Sequence, residues 1–144
     1  MNPLTLSEIT KFVRDWYKAL DVHAPMVDVL PMLAREGLEM QFPEATLQGH
    51  AGFEGWYQRV IRVFFDEVHE VKKVEIQPRG DDALVNVMVR WEASVWNPPA
   101  ARSERIRLDA FQRWIVRRSS VTGKPEIITY IVDRLEFLEG SARL

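Results

Sequence analysis

The feature that most limits how this chain can fold is a change of hydrophobic period near Val68. Before it, apolar residues recur at helical spacing; after it they alternate. Ile9, Phe12, Val13, Trp16, Tyr17 and Leu20 fall at i, i+3, i+4, i+7, i+8 and i+11, one broad apolar face of a helix. Thr5 and Glu8 stand as T-x-x-E just ahead, a capping box that starts it. Pro25 suits the start of a second helix and Pro31 splits it, since proline lacks the N–H and crowds the preceding turn. Gly37 stops it before a short strand, "LEMQF", that ends at Pro43; "EATLQG" reads as a loop. A third helix is predicted over His50 to Asp66 on Phe53, Trp56, Tyr57, Val60, Ile61 and Phe64.

From Val68 onward the period is two. "VHEVKKVEIQP", the turn "RGDD", "ALVNVMVRWEASVW", the proline loop "NPPAARS", "ERIRLDAFQRWIVRR" and "IITYIVDRLEFL" make four strands. Hairpin-length connections make the sheet mainly antiparallel, and helices gathered in the first half make the class α+β. A curved sheet wrapped around the N-terminal helices would form a cone with a cavity. The 144 residues suit a single domain spanning 1–144.

Composition excludes several function classes. A net charge of −2 offers no bulk attraction to nucleic acid, and no apolar run reaches the length of a membrane span, so neither partner is expected. The chain has no cysteine, hence no disulfide, thiolate nucleophile or cysteine-ligated zinc. No signal peptide opens it, and a cytoplasmic location is expected. His23, His50 and His69 lack metal-ligand spacing, and no phosphate-cradling glycine motif occurs, so no cofactor and no metal are expected.

Five tryptophans remain to be placed: Trp16, Trp56, Trp91, Trp96 and Trp114. Such rings either fill the core of a bent sheet or line an apolar pocket. On the last strand, Asp133 shares an alternate row with Ile127, Thr129, Ile131, Leu135 and Phe137. It is either a cavity-facing general acid/base or the cross-strand partner of Arg107, Arg113 or Arg117. Gln112 interrupts the apolar row Ile106 to Val116 and either orients a ligand or satisfies a backbone group. His50, at the start of the third helix, either caps it or reaches the mouth of the cone.

The helix "FVRDWYKALD", the strand "LEMQF", the segment "QGHAGFEGWY", the hairpin "HEVKKVEIQPRGDDALVNVMVRW" and "GKPEIITYIVDRLEFL" resemble the nuclear-transport-factor-2-like superfamily, in its SnoaL-like branch. The resemblance covers nearly the whole chain and implies a cone with an apolar interior. In its enzymes a carboxylate often shuttles protons. Steroid isomerases of this kind carry a base where Phe42 stands, and a tyrosine near Trp16 with Tyr17 adjacent; dehydratase-like members carry histidine where Tyr130 stands. The resemblance implies a small apolar ligand, cyclic or polyketide-like, among Trp16, Tyr17, Phe42, His50, Trp56, Trp91, Gln112, Trp114 and Tyr130. It leaves lyase or isomerase chemistry through Asp133 beside a non-catalytic binding module. It also implies a homodimer formed through the outer sheet face.

Overall fold

The computed structural model describes residues 2–144. Helix α1 (Leu6–Asp21) begins on the expected box: the Thr5 hydroxyl accepts from the Glu8 N–H, and the Glu8 carboxylate accepts from the Thr5 N–H, both at 3.0 Å. All six residues of its apolar face are buried. Helix α2 (Met26–Val29) follows Pro25 and gives way to a single 3-10 turn, Leu30–Met32, that holds Pro31. Gly37 takes a left-handed φ of 78° and turns the chain into β1 (Glu39–Gln41).

Two boundaries differ from the sequence expectation. The segment after Pro43 is not simply a loop, for Thr46–Gln48 forms β2 and pairs antiparallel with β1. Helix α3 (Gly49–Val63) then ends three residues before Asp66, and β3 (Phe64–Arg79) begins without a loop. Pairing is what decides this: Phe64 and Phe65 already oppose Val95 and Ser94 of β4 (Asp82–Val95), which a helical period cannot report.

With β5 (Glu104–Arg118) and β6 (Pro125–Phe137), the strands form one open six-stranded sheet in the order β2-β1-β6-β5-β4-β3. Among the described strands β1 and β6 pair in parallel, and the other neighbours are antiparallel. Helix α1 lies against one face, where Val85, Val87 and Val89 of β4 and Ile106, Leu108, Trp114 and Val116 of β5 join its side chains in a single core. The class is α+β, as expected.

Two bulges in β6 overturn the alternate row read from the sequence. Val116 opposes Ile127 while Ile115 opposes Thr129, and Gln112 opposes Val132 while Phe111 opposes Arg134. Ile128 and Asp133 are the extra residues, and each bulge exchanges the two faces. Ile127, Tyr130, Val132 and Leu135 therefore pack on the helix-covered side. Asp133 points outward, where the Arg113 guanidinium holds it with Nε 2.8 Å from Oδ2 and Nη2 2.8 Å from Oδ1. Of its two expected roles, the cross-strand ion pair is the one the structure shows.

Arg118, at the end of β5, gathers the chain start. It donates to both Glu8 oxygens at 2.9 and 3.0 Å, to the carbonyls of Asn2 and Pro3, and to the Gly123 carbonyl in the β5–β6 turn.

Candidate functional site

Between the sheet, the start of β3 and α3 lies an apolar cavity of about 120 Å³. An apolar cavity of about 150 Å³ accepts benzene, so this one suits a single ring. Phe42 and Trp56 stack at its mouth with ring centroids 4.2 Å apart. Trp91, Tyr130 and Gln112 also line it. Five of the nine expected binding residues are thus brought together.

The other four are not on its wall. Trp16 and Trp114 are completely buried in the core, meeting edge to face at 6.3 Å, and Tyr130 stacks on Trp114 at 5.1 Å. Tyr17 is buried beside them and reaches the cavity through Gln112. His50 faces away: its Nε2 donates to the Leu33 carbonyl at 3.0 Å, which fixes the ring against the 3-10 turn. Asp133 lies on the opposite face of the sheet, so the expected cavity carboxylate is elsewhere.

Two further polar groups reach the cavity from β3. The ladder to β4 slips between Phe65 and Val68, and Asp66 in the bulge adopts φ 50°. That bend turns Glu67 and His69, two residues apart on one side of the strand, into the cavity. The Glu67 carboxylate is almost fully enclosed; Trp91 donates its indole N–H to Oε1 at 3.0 Å, and His23 bonds Oε2.

His69 lies flat between the rings of Tyr17 and Trp91, with centroids at 4.9 and 6.1 Å. Its Nδ1 is 2.6 Å from Oδ1 of Asp21, the last residue of α1. An ionised carboxylate can only accept, so Nδ1 carries a proton, and in the neutral form of the ring the lone pair is on Nε2. No protein group bonds that nitrogen among the described residues.

Gln112 is oriented by the same logic. The Tyr17 hydroxyl donates to its Oε1 at 2.7 Å and the Trp114 indole N–H at 3.0 Å. An indole nitrogen can only donate, so the Gln112 oxygen faces the core and its NH₂ is the group left for a ligand. Burial drives the Tyr17 hydroxyl well above its usual range and Tyr130 up to about 12. Tyr57, also on the wall, is pushed to about 12 by burial and then by the Glu67 charge. All three hydroxyls stay protonated at neutral pH, so the groups on the wall that can accept a proton are His69, Glu67 and Glu44. No lining residue is Lys or Arg, whereas Glu44 and Glu67 both line the cavity, an environment unfavourable to an anionic ligand.

Sequence reasoning missed Glu67, His69 and Asp21. The available signal was the i, i+2 spacing of a carboxylate and an imidazole on the otherwise apolar row that continues to Val71. The partner of His69 lies 48 residues upstream, a separation no local motif reports.

No protein-family model matches the chain, and no curated protein is similar to it in sequence. Solved structures are similar in fold. A protein of unknown function with a cystatin-like fold from Nostoc punctiforme is 18% identical, with a TM-score of 0.71 over 99% of this chain and 100% of that one. A hexachlorocyclohexane dehydrochlorinase from Novosphingobium barchaimii is 12% identical, with a TM-score of 0.73 over 96% and 92%. A ketosteroid isomerase-like protein from Erwinia carotovora atroseptica is 18% identical, with a TM-score of 0.69 over 93% and 96%. Likeness at this identity concerns architecture, and architecture alone does not assign chemistry. The chain carries the cystatin-like α+β fold.

Proposed function

We propose that the protein is a lyase acting on a small, uncharged, single-ring carbonyl compound, with His69 as the base. The observation that carries this reading is His69 on the wall of an apolar, ring-sized cavity, held from behind by Asp21. Asp21 holds the tautomer and stabilises the imidazolium that forms, while stacking on Tyr17 and Trp91 fixes the ring plane. The Gln112 amide donates to the ligand's carbonyl oxygen, which acidifies the neighbouring C–H and stabilises developing enolate charge. His69 Nε2 takes that proton, the electron pair becomes a C=C bond, and the leaving group departs from the β carbon. The dehydrochlorinase among the similar folds, by its name, performs an elimination, which supports this class of reaction.

The test uses 3-chlorocyclohexanone, which eliminates HCl to give cyclohexenone with an ultraviolet signature. Wild-type protein is expected to accelerate it, and His69→Gln to lose about 100-fold or more of that rate. Asp21→Asn falls in between. A His69→Gln variant as fast as wild type, or a wild type no faster than buffer, refutes the assignment and leaves the cavity as a binding site only.

Homodimer formation through the outer sheet face is likewise a proposal. Half-buried Met88, Phe111 and Ile115 sit there among the pairs Arg90–Asp109 and Arg113–Asp133, an apolar centre with a charged rim. Sedimentation velocity should show a dimer that Phe111→Glu converts to monomer; a wild-type monomer at all concentrations refutes it.

A further inference from the structure

The cavity has a second chemical character, which elimination by His69 does not use: its walls suit a positive charge. Six aromatic side chains line it, Phe42, Trp56, Tyr57, Phe64, Trp91 and Tyr130. The negative faces of such rings attract cations, and cages of them recur where quaternary ammonium groups are bound. Phe42 stacks on Trp56 at 4.2 Å and meets Tyr130 at 5.5 Å, while Phe64 meets Trp91 edge to face at 5.1 Å. The protein's own guanidinium groups do not use these rings. Among the described residues the two that lie over rings are Arg134 on Phe111 and Arg143 on Phe137, and neither ring lines the cavity.

Both carboxylates on the wall repeat one arrangement. Each accepts a hydrogen bond from an indole that lines the cavity too: Glu67 from Trp91 at 3.0 Å, and Glu44 from Trp56 at 3.4 Å. Donation to an anion polarises the indole and makes its ring face more negative. Glu67 is also held by His23. Glu44 has no basic side chain in ion-pair range among the described residues. It is exposed at the mouth, tied to the Phe42–Trp56 stack, and so can meet an arriving ligand.

We infer that this cavity is also a binding site for a small alkylated ammonium ion, free in solution, held by the rings around Phe42 and Trp56 with Glu44 as its counter-charge. Alkylation matters because an apolar wall cannot replace the water around a bare ammonium or metal ion. Methyl groups instead spread the charge over a surface that rings accept. A trimethylammonium head is roughly the size of the single ring for which the space of about 120 Å³ suffices. The same head carried on a peptide is less suited: strand addition needs a long free edge, and β2, the sheet edge that follows Glu44, is three residues long. Binding needs no turnover, so this site and the elimination assigned to His69 stand or fall separately.

Isothermal titration calorimetry with choline and 3,3-dimethylbutan-1-ol tests the charge alone, since the two differ by carbon in place of nitrogen. Choline is expected to bind about tenfold or more tightly than the alcohol, and 3,3-dimethylbutanoate, the anion of similar shape, not measurably. Glu44→Gln keeps an acceptor for Trp56; it should weaken choline about threefold and leave the alcohol within about twofold. Trp56→Leu, with its fold checked by circular dichroism, should remove the preference for choline over the alcohol. Ala110→Phe, which fills the cavity, should abolish choline binding. No binding of choline to the wild type, equal affinity for the alcohol, or choline binding that survives Ala110→Phe overturns the proposal. Unchanged choline affinity in Glu44→Gln overturns the role of that carboxylate, and a trimethyllysine peptide that binds more tightly than choline overturns the free ion as the occupant.

Discussion

At the residue scale, three carboxylates on this chain have three fates set by their neighbours. Asp133 is half-exposed on the outer face and bound to a half-exposed arginine, an arrangement worth about 0–1 kcal/mol in general. Glu67 is enclosed between an indole, an imidazole and the cavity. Glu8 is exposed, yet hydrogen bonds from Arg118 foremost, then from the Thr5 backbone, pull it from 4.5 to about 2. A carboxyl lowered on folding adds stability above its unfolded value and loses it as pH falls through the folded one. Glu8 should therefore make stability decline between about pH 4.5 and 2. Acid titration followed by circular dichroism should show a shallower decline for Glu8→Gln; identical curves would show that Glu8 makes no such contribution.

At the element scale, sequence reading succeeded where periodicity alone decides and failed where pairing does. The apolar face of α1, the Pro31 break and the inward row of β5 from Ile106 to Val116 were all legible, because burial on one face repeats at the period of the element. The face of Asp133 was left open because one unpaired residue, Ile128, inverts the alternation beyond it, and nothing in "IITYIVD" marks a bulge. Gln112 was found as a polar interruption of an apolar row, and Trp91 as one of five tryptophans that had to be core or wall. His69 was passed over since its meaning comes from Asp21, at the far end of a helix. The β3 bulge offers a test of how much such irregularity positions. Asp66→Gly should fold normally, whereas Asp66→Val, forcing a β-branched residue to φ 50°, should cost about 1–2 kcal/mol. Chemical denaturation reads the difference, and equal stability would mean that the bulge rearranges freely.

At the scale of the whole molecule, the fold divides its aromatic residues between support and wall. Trp16, Trp114 and Tyr17 form a rigid floor, and Phe42, Trp56 and Trp91 surround the space above it. Among the described residues no helix is long and apolar enough to cross a membrane. Emptiness in a densely packed protein is maintained at a cost, since cavity walls forgo dispersion contacts. Filling it should thus leave folding intact and remove function. Ala110, buried on β5 against the cavity, is the position to enlarge. Ala110→Phe is expected to keep a cooperative melt and to abolish turnover of 3-chlorocyclohexanone. Full turnover in that variant would place the chemistry outside the cavity.

The Arg118 clasp bears on how the chain comes apart. One guanidinium joins the first residues, the opening of α1 and the β5–β6 turn through the same Glu8 that completes the capping box. Loss of that one guanidinium would therefore loosen three distant stretches together, the segment at Asn2 and Pro3, the start of α1 and the β5–β6 turn.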